Sequence, residues 1–309
     1  MPFTSLLDPD TIPAPLAGAA VAIGNFDGVH RGHRAVIDAA RRLAADLGGP
    51  ALALTFEPHP RKVFRPEVPL FRLSPPAVKA TLFERAGLDG AVTLSFDRLF
   101  AETSAERFLA DLLVGRLKAR AVAIGHDFSF GKGRQGNADF ILARAPALGL
   151  KVAVVPAFAQ DGAAVSSSAI RAALAAGDVR RANALLGHEW FVRGTVVHGE
   201  KIGRTLGYPT ANMAFDPDFA LADGIYAVRA TIDGVVRPGV ASYGRRPTFG
   251  DGAPLLETYV FDFTGDLYGK EIDITFVDYI RGQIKFDGVE ALIERMHEDS
   301  RIARAITGG

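Results

Sequence analysis

The sequence predicts an α/β domain, with a parallel sheet flanked by helices, followed by an antiparallel β-barrel with a C-terminal helix. Three observations carry that expectation. The chain has 309 residues, more than the roughly 100–200 residues of a usual single core. In its first half apolar strands alternate with helical patterns, the order that wraps helices around a parallel sheet. Beyond Trp190 the pattern changes to short alternating runs divided by Gly, Asp and Pro, as in antiparallel sheets and barrels. The change sets a boundary near residue 185 and two domains, 1–184 and 185–309.

The first strand is the apolar run from Ala20 to Gly24. A helix follows from about His33 to Leu47, because Ile37, Ala40, Leu43, Ala44 and Leu47 share one face at helical spacing. The strand "ALALTF", the helix "PPAVKATLFERAG", the strand "AVTLSF", the helix "SAERFLADLLVGRL" and the strand "AVAIG" come next. Thr103 and Glu106 have capping-box spacing before Phe108. The short helix "ADFILARA" and the strand "KVAVV" extend the alternation up to "SSSAIRAALAAGDVRRANALLG". In the second half "FVRGTVVHG", "IYAVRATIDGVVRPGV", "LETYVFDF" and "EIDITFVDYI" read as strands, with Asp233-Gly234 as a hairpin turn. Leu292, Ile293, Met296 and Ile302 give the tail a helical apolar face that can close on the barrel.

Composition narrows the function. Hydrophobic residues make up 48% and charged residues 23%, the proportions of a globular protein rather than a disordered or fibrous one. With no cysteine, disulfides and thiolate chemistry are excluded. The N-terminus does not read as a secretory signal and no apolar run reaches membrane-spanning length, so the expected location is cytoplasmic, with no membrane partner. Net charge is zero, from 35 basic and 35 acidic residues; the first half is mildly basic and the second mildly acidic. Neither has the density of a nucleic-acid footprint, and a small anionic substrate suits the first half. A homo-oligomer is compatible with the sequence.

The stretch "AVAIGNFDGVHRGH", Ala20 to His33, carries the first candidate site. Residues after a strand of a parallel sheet lie at its carboxyl edge, where ligands bind. Gly24 and Gly28 allow close backbone approach, and the N–H groups of the following helix attract phosphate. His30 and His33, three apart, can donate hydrogen bonds to charge developing on a phosphoryl oxygen. Without an adjacent glutamate or cysteine they make a poor zinc site. Asn25 and Asp27 complete the polar set. The run "GKGRQG", Gly131 to Gly136, spells a dinucleotide-type glycine pattern but lacks the acidic residue expected about 20 positions later, and no P-loop occurs.

His30-Arg31-Gly32-His33 resembles the H-x-G-H motif of nucleotidylyltransferases, whose domain is Rossmann-like. "GNFDGVHRGH", "LTFEPHP", "GHDFSFGKGRQG" and "SSSAIR" are similar to the bacterial bifunctional riboflavin kinase/FAD synthetases. The resemblance implies that the first half transfers AMP from ATP to FMN, giving FAD and pyrophosphate, with His30 and His33 catalytic. It implies nucleotide or flavin contacts from Gly24, Asn25, Asp27, Gly28, Asp127, Phe128 and Arg134, and triphosphate contacts from Ser167, Ser168 and Arg171. Ser168 stands where threonine is commoner.

In "GEKIGRTLGYPTAN", Gly199 to Asn212, Pro209 keeps the chain extended, so Thr210 and Asn212 project to the same side. A hydroxyl and an amide carbonyl are hard oxygens suited to Mg²⁺. Alternation in "LETYVFDF" puts Glu257 on the face of Tyr259, Phe261 and Phe263, where apolar rings would strip water from a carboxylate acting as base. Gly203-Arg204, Pro209 to Asn212, "RRPTFG" and "ETYVFDFTGDLYGKE" resemble the riboflavin kinase module. That implies phosphorylation of riboflavin to FMN by ATP, with Glu257 as base, Thr210 and Asn212 at the metal, and Gly203, Arg204 and Arg281 binding ATP or flavin. Ser242 stands where that family has asparagine and Gln283 where glutamate is common; Arg281 and Phe286 match. The ligands implied are riboflavin, FMN, FAD and ATP with Mg²⁺. Two rivals stay open: an adenylyltransferase whose C-terminal half only binds flavin, and an RNA-binding protein, which would bind RNA in a salt-sensitive manner.

Overall fold

The computed structural model describes residues 2–160, 163–198, 208–245 and 254–308. They form two compact units, one of residues 1–70 and 74–166, the other of Phe71–Leu73 and residues 167–309.

The first unit is built on six strands: β1 (Thr4–Leu7), β2 (Ala20–Ile23), β3 (Ala51–Glu57), β4 (Gly90–Ser95), β5 (Ala121–Gly125) and β6 (Lys151–Val155). They lie in the order β1-β4-β3-β2-β5-β6, and every pairing is parallel. From β2 the order runs through β3 on one side and β5 on the other. That reversal opens a crevice at the carboxyl ends, where ligands of such sheets bind. Helices α1 (Arg31–Leu47), α2 (Pro60–Phe64), α3 (Pro76–Arg85), α4 (Arg98–Ala101), α5 (Ala105–Arg107) and α6 (Ala138–Leu148) connect the strands, and a small hairpin pairs β7 (Ala159–Gln160) with β8 (Ala163–Ala164).

The alternation read from the sequence is present, with local differences. Helix α1 begins earlier than His33, with His30 as its N-cap. It buries Val36, Ile37, Ala40 and Ala44, and a fully buried Ile contributes about 1.5–3 kcal/mol. Gly48, at φ 62°, ends it by donating to Ala44 and Ala45, a left-handed cap that glycine adopts without strain. In place of the capping box expected at Thr103, a simple N-cap forms one residue later: Ser104 Oγ accepts the Arg107 N–H at 3.2 Å. Beyond α5 the chain widens into π-helical turns over Phe108–Arg116. Strand β1 has no counterpart in the sequence reading; it is short, and only alternate residues are sheltered.

The second unit contains α7 (Ser167–Ala175), α8 (Val179–Leu186), six strands and α9 (Val289–Thr307). The strands are β9 (Phe191–Thr195), β10 (Thr210–Ala214), β11 (Gly224–Ile232), β12 (Val235–Arg245), β13 (Pro254–Val260) and β14 (Glu271–Arg281), in the order β10-β13-β12-β11-β14-β9. All pairings are antiparallel. A bridge between Val197 and Asn212 joins the two edges into a barrel. The expected hairpin turn has Asp233 at φ 50° and Gly234 at φ 81°, the positive pair that a two-residue turn requires. Alternation in "LETYVFDF" stops at Val260, the end of β13, with Asp262 at φ 54°; Phe261 and Phe263 therefore lie beyond the strand.

Helices α7 and α8 fall with the barrel, so the unit begins earlier than residue 185. Asn183 explains the attachment, because its side chain donates to Phe276 O and accepts the Trp190 N–H. Trp190 is 2% exposed. Its ring stacks on Phe276 at 4.9 Å and its indole N–H donates to Leu73 O at 3.0 Å, satisfying a polar atom that burial would otherwise leave costly. On α9 the most enclosed residues are Ala303 and, unexpectedly, Asp299.

Candidate functional site

In the first unit the candidate site lies where β2 gives way to α1. His30 caps the helix: its Nδ1 accepts the His33 backbone N–H at 3.3 Å. Since that nitrogen accepts, a neutral His30 carries its proton on Nε2. The two imidazoles stack with centroids 3.6 Å apart and planes 16° from parallel. Gly32 permits this, because a Cβ there would meet His30 Cε1 at 3.2 Å. Phe26 supports His33 edge-on at 5.3 Å. Burial first, then the neighbouring His30 and Lys79, hold the His33 imidazole well below the usual 6.5. His33 is thus a neutral ring at neutral pH, and its Nδ1 is buried with no hydrogen-bond partner among the described residues.

The loop itself is strained and braced. Phe26 has φ 51° and Val29 φ 43°, and a β-branched residue in that region persists only when its surroundings fix it. Ser74, not singled out from sequence, supplies much of the fixing. Its Oγ accepts the Gly28 N–H at 2.7 Å, and its backbone N–H donates to Asp27 Oδ1 at 3.0 Å. Asp27 is 1% exposed, so its carboxylate braces the loop from within. Asn25 is exposed, and its carbonyl accepts the Thr55 hydroxyl at 3.1 Å. Gly24 accommodates the Phe26 ring, whose carbons would lie 3.3 Å from a Cβ there.

The loop after β5 stands across the same crevice. Asp127 is exposed there, with its carboxylate 4.0 Å from His126 Nδ1. Phe128 stacks on Phe130 at 5.5 Å, and Arg134 Nε donates to Ser129 Oγ at 2.9 Å. Reciprocal backbone hydrogen bonds between Phe130 and Gly136 close the glycine-rich segment into a defined loop. Ser167, Ser168 and Arg171 belong to α7 in the second unit, where Arg171 Nε donates to Phe71 O at 2.6 Å.

The barrel has its own candidate site, a cleft of 420 Å³ lined by Thr210, Asn212, Thr258, Phe263 and Tyr268 among others. Asn212 lies opposite Glu257 in the β10–β13 register, so both side chains share a face, and Glu257 is half-buried. Asn212 Oδ1 and Thr258 Oγ1 are buried without hydrogen-bond partners among the described residues. The Asn212 oxygen, orphaned beside the cleft on the Glu257 face, fits a divalent cation better than a purely structural role. Thr258 escaped sequence reasoning because it lies on the opposite strand face from Glu257. Gly203 and Arg204, and "RRPTFG" beyond Arg245, lie outside the described residues.

Arg281 sits in an ion pair that the sequence does not announce. Its Nε donates to both Asp299 oxygens, at 2.9 and 3.1 Å, so its guanidinium is engaged with α9. The two residues that depart from the kinase pattern meet each other: Gln283 Nε2 donates to Ser242 Oγ at 3.1 Å. Ser242 also lies opposite Glu257.

Comparison with known proteins decides the family. The FAD synthetase family model matches residues 12–169 and the riboflavin kinase model matches residues 186–307. The bifunctional riboflavin kinase/FMN adenylyltransferase of Haemophilus influenzae is 38% identical over 94% of each chain. The chain belongs to the bifunctional riboflavin kinase/FMN adenylyltransferase family. The protein of that name from Escherichia coli is 36% identical, over 96% of this chain and 95% of its own. A solved structure described as a macrolide-efflux protein from Streptococcus pneumoniae superposes with a TM-score of 0.86 at 31% identity, over 98% of this chain and 99% of its own. Among the described residues of this family member, no helix is long and apolar enough to cross a membrane.

Proposed function

We infer that the chain makes FMN from riboflavin and ATP in its second unit and FAD from FMN and ATP in its first. What carries this reading is that both halves match families of those two activities. In the first unit a phosphate oxygen of FMN attacks the α-phosphorus of ATP, and the bond to pyrophosphate breaks. Charge builds on the phosphoryl oxygens, and fixed donors there supply most of the rate. His30 and His33 are the candidates, supported by their stacking at the start of α1, where backbone N–H groups favour phosphate. Asn25, Asp127, Phe128 and Arg134 are proposed nucleotide or flavin contacts, while Gly24, Asp27 and Gly28 shape the loop.

In the second unit the ribityl hydroxyl of riboflavin attacks the γ-phosphorus, its proton passes to Glu257, and ADP leaves. Thr210 and Asn212 are proposed to hold Mg²⁺, which when bound neutralises phosphate charge; the orphaned Asn212 oxygen supports them. The need for ATP supports a cytoplasmic location.

Incubating the purified chain with riboflavin, ATP and Mg²⁺ tests the reading. FMN followed by FAD is expected. FAD from supplied FMN, but no FMN from riboflavin, would reduce the second unit to a flavin-binding module.

A further inference from the structure

Lys79 sits on the buried face of α3 with Val78, Leu82 and Phe83, and it is 2% exposed. Lysine is almost never so enclosed unless it is paired. Its ammonium donates to Glu57 Oε1 at 2.9 Å and to Thr55 Oγ1 at 3.2 Å. A lysine can only donate, so the Thr55 hydroxyl accepts from it, and the single hydroxyl proton is directed to the Asn25 carbonyl at 3.1 Å, which fixes the polarity of the chain. The relay therefore runs in one direction, from the Glu57–Lys79 pair through Thr55 to the loop that precedes α1.

A second path leads from the same helix to the same place. Phe83 packs edge-on against Phe26 at 5.4 Å, and Phe26 against His33 at 5.3 Å. Apolar contact alone would serve a structural helix. Replacing a buried ion pair with apolar residues is often neutral or stabilising, so stability does not explain a charge here. The charge lies at the carboxyl end of β3, on the side of the crevice where the strained backbone at Phe26 must be held.

We propose that Lys79 is a positioning residue for adenylyl transfer: anchored on Glu57, it orients the Thr55 hydroxyl onto the Asn25 carbonyl and so holds the loop that presents His30 and His33. The proposal rests on the adenylyltransferase reading of the first unit. It is consistent with Lys79 being among the groups that keep the His33 ring neutral.

Two independent changes in the full chain test it, with FAD formation from supplied FMN as the readout. Lys79→Met/Glu57→Gln removes both charges at similar volume, and Thr55→Val removes the hydroxyl at constant shape. Each should lower kcat by roughly 10- to 100-fold and leave the KM for ATP within about 3-fold, the mark of an interaction expressed in the transition state. Combining the changes should cost no more than the larger single effect, since both break one relay. Thr55→Ser, which keeps the hydroxyl, should stay within about 3-fold of the unchanged protein. Riboflavin phosphorylation should be unaffected in all of them, and the near-constant KM for ATP in adenylyl transfer controls for folding of the first unit. Unchanged kcat in Thr55→Val, equal loss in Thr55→Ser, or multiplying effects in the combined variant would overturn the relay while leaving the adenylyltransferase reading intact. An unmodified protein that makes no FAD from FMN would instead remove that reading, and the proposal with it.

Discussion

Asp299→Asn should destabilise the barrel unit markedly. The carboxylate is 4% exposed and its partner Arg281 13%. It accepts two hydrogen bonds from Arg281 Nε, at 2.9 and 3.1 Å, and lies 3.3 Å from Arg295. Removing one partner of a buried pair costs about 3–5 kcal/mol, because the other charge is left uncompensated. Asparagine keeps the shape and one acceptor oxygen, and Arg295 is exposed enough to turn to water, which puts the cost near the lower end, about 3 kcal/mol. For a unit of this size that lowers Tm by roughly 10 °C. The assay is simple because Trp190 is the only tryptophan and lies buried in this unit, so its fluorescence follows barrel unfolding in the full chain. Arg281→Gln should give a similar drop. An unchanged Tm in both variants, with a raised KM for riboflavin or ATP in Arg281→Gln, would refute the argument and return Arg281 to ligand binding.

His30→Ala should reduce FAD formation by roughly 10²–10³-fold, the cost of one transition-state donor, with riboflavin phosphorylation retained; product analysis separates the two. Glu57 and Lys79 aside, the His33 environment predicts a pH effect. Its folded-state pKa lies below the unfolded 6.5, so its stabilising contribution is full above that value and is lost as pH falls through the lowered folded pKa. Circular dichroism melts of the full chain from about pH 7 to about pH 5 should show that decline, and His33→Gln should make it shallower. Glu257→Gln should slow FMN formation by roughly 10²–10⁴-fold, the range for a general base, without affecting adenylylation of supplied FMN. Asn212→Ala should raise the Mg²⁺ concentration needed for half-maximal phosphorylation, which a metal titration would read directly; an unchanged requirement would remove Asn212 from the metal site.

The parts of the structure that follow a local pattern could be read from the sequence. Alternating strands and helices, the Asp233-Gly234 turn and the H-x-G-H stretch each depend on neighbours a few residues apart, where periodicity and turn chemistry leave a signal. The cap expected at Thr103 missed by one residue because Thr103 and Ser104 are both good caps, and only the fold shows which hydroxyl meets an N–H. The braces were not legible. Ser74 reaches the Phe26–Gly28 loop across 46 residues and more, Lys79 on α3 reaches Thr55 and Glu57 on β3, and Asp299 meets Arg281 from the C-terminal helix. Each is an isolated polar residue whose partner is fixed only by the fold, so no spacing in the sequence announces it. Arg281 shows the limit: its place in a motif implies a ligand, and its pairing with Asp299 on α9 comes to light only in the fold.

Two separate centres in one chain are the central claim, and mixing the two blocked variants tests it most directly. With riboflavin, ATP and Mg²⁺, Glu257→Gln alone should make neither product at an appreciable rate, and His30→Ala alone should stop at FMN. Together they should form FAD after a lag during which FMN accumulates. A mixture that makes no FAD, although the unmodified protein does, would contradict the account.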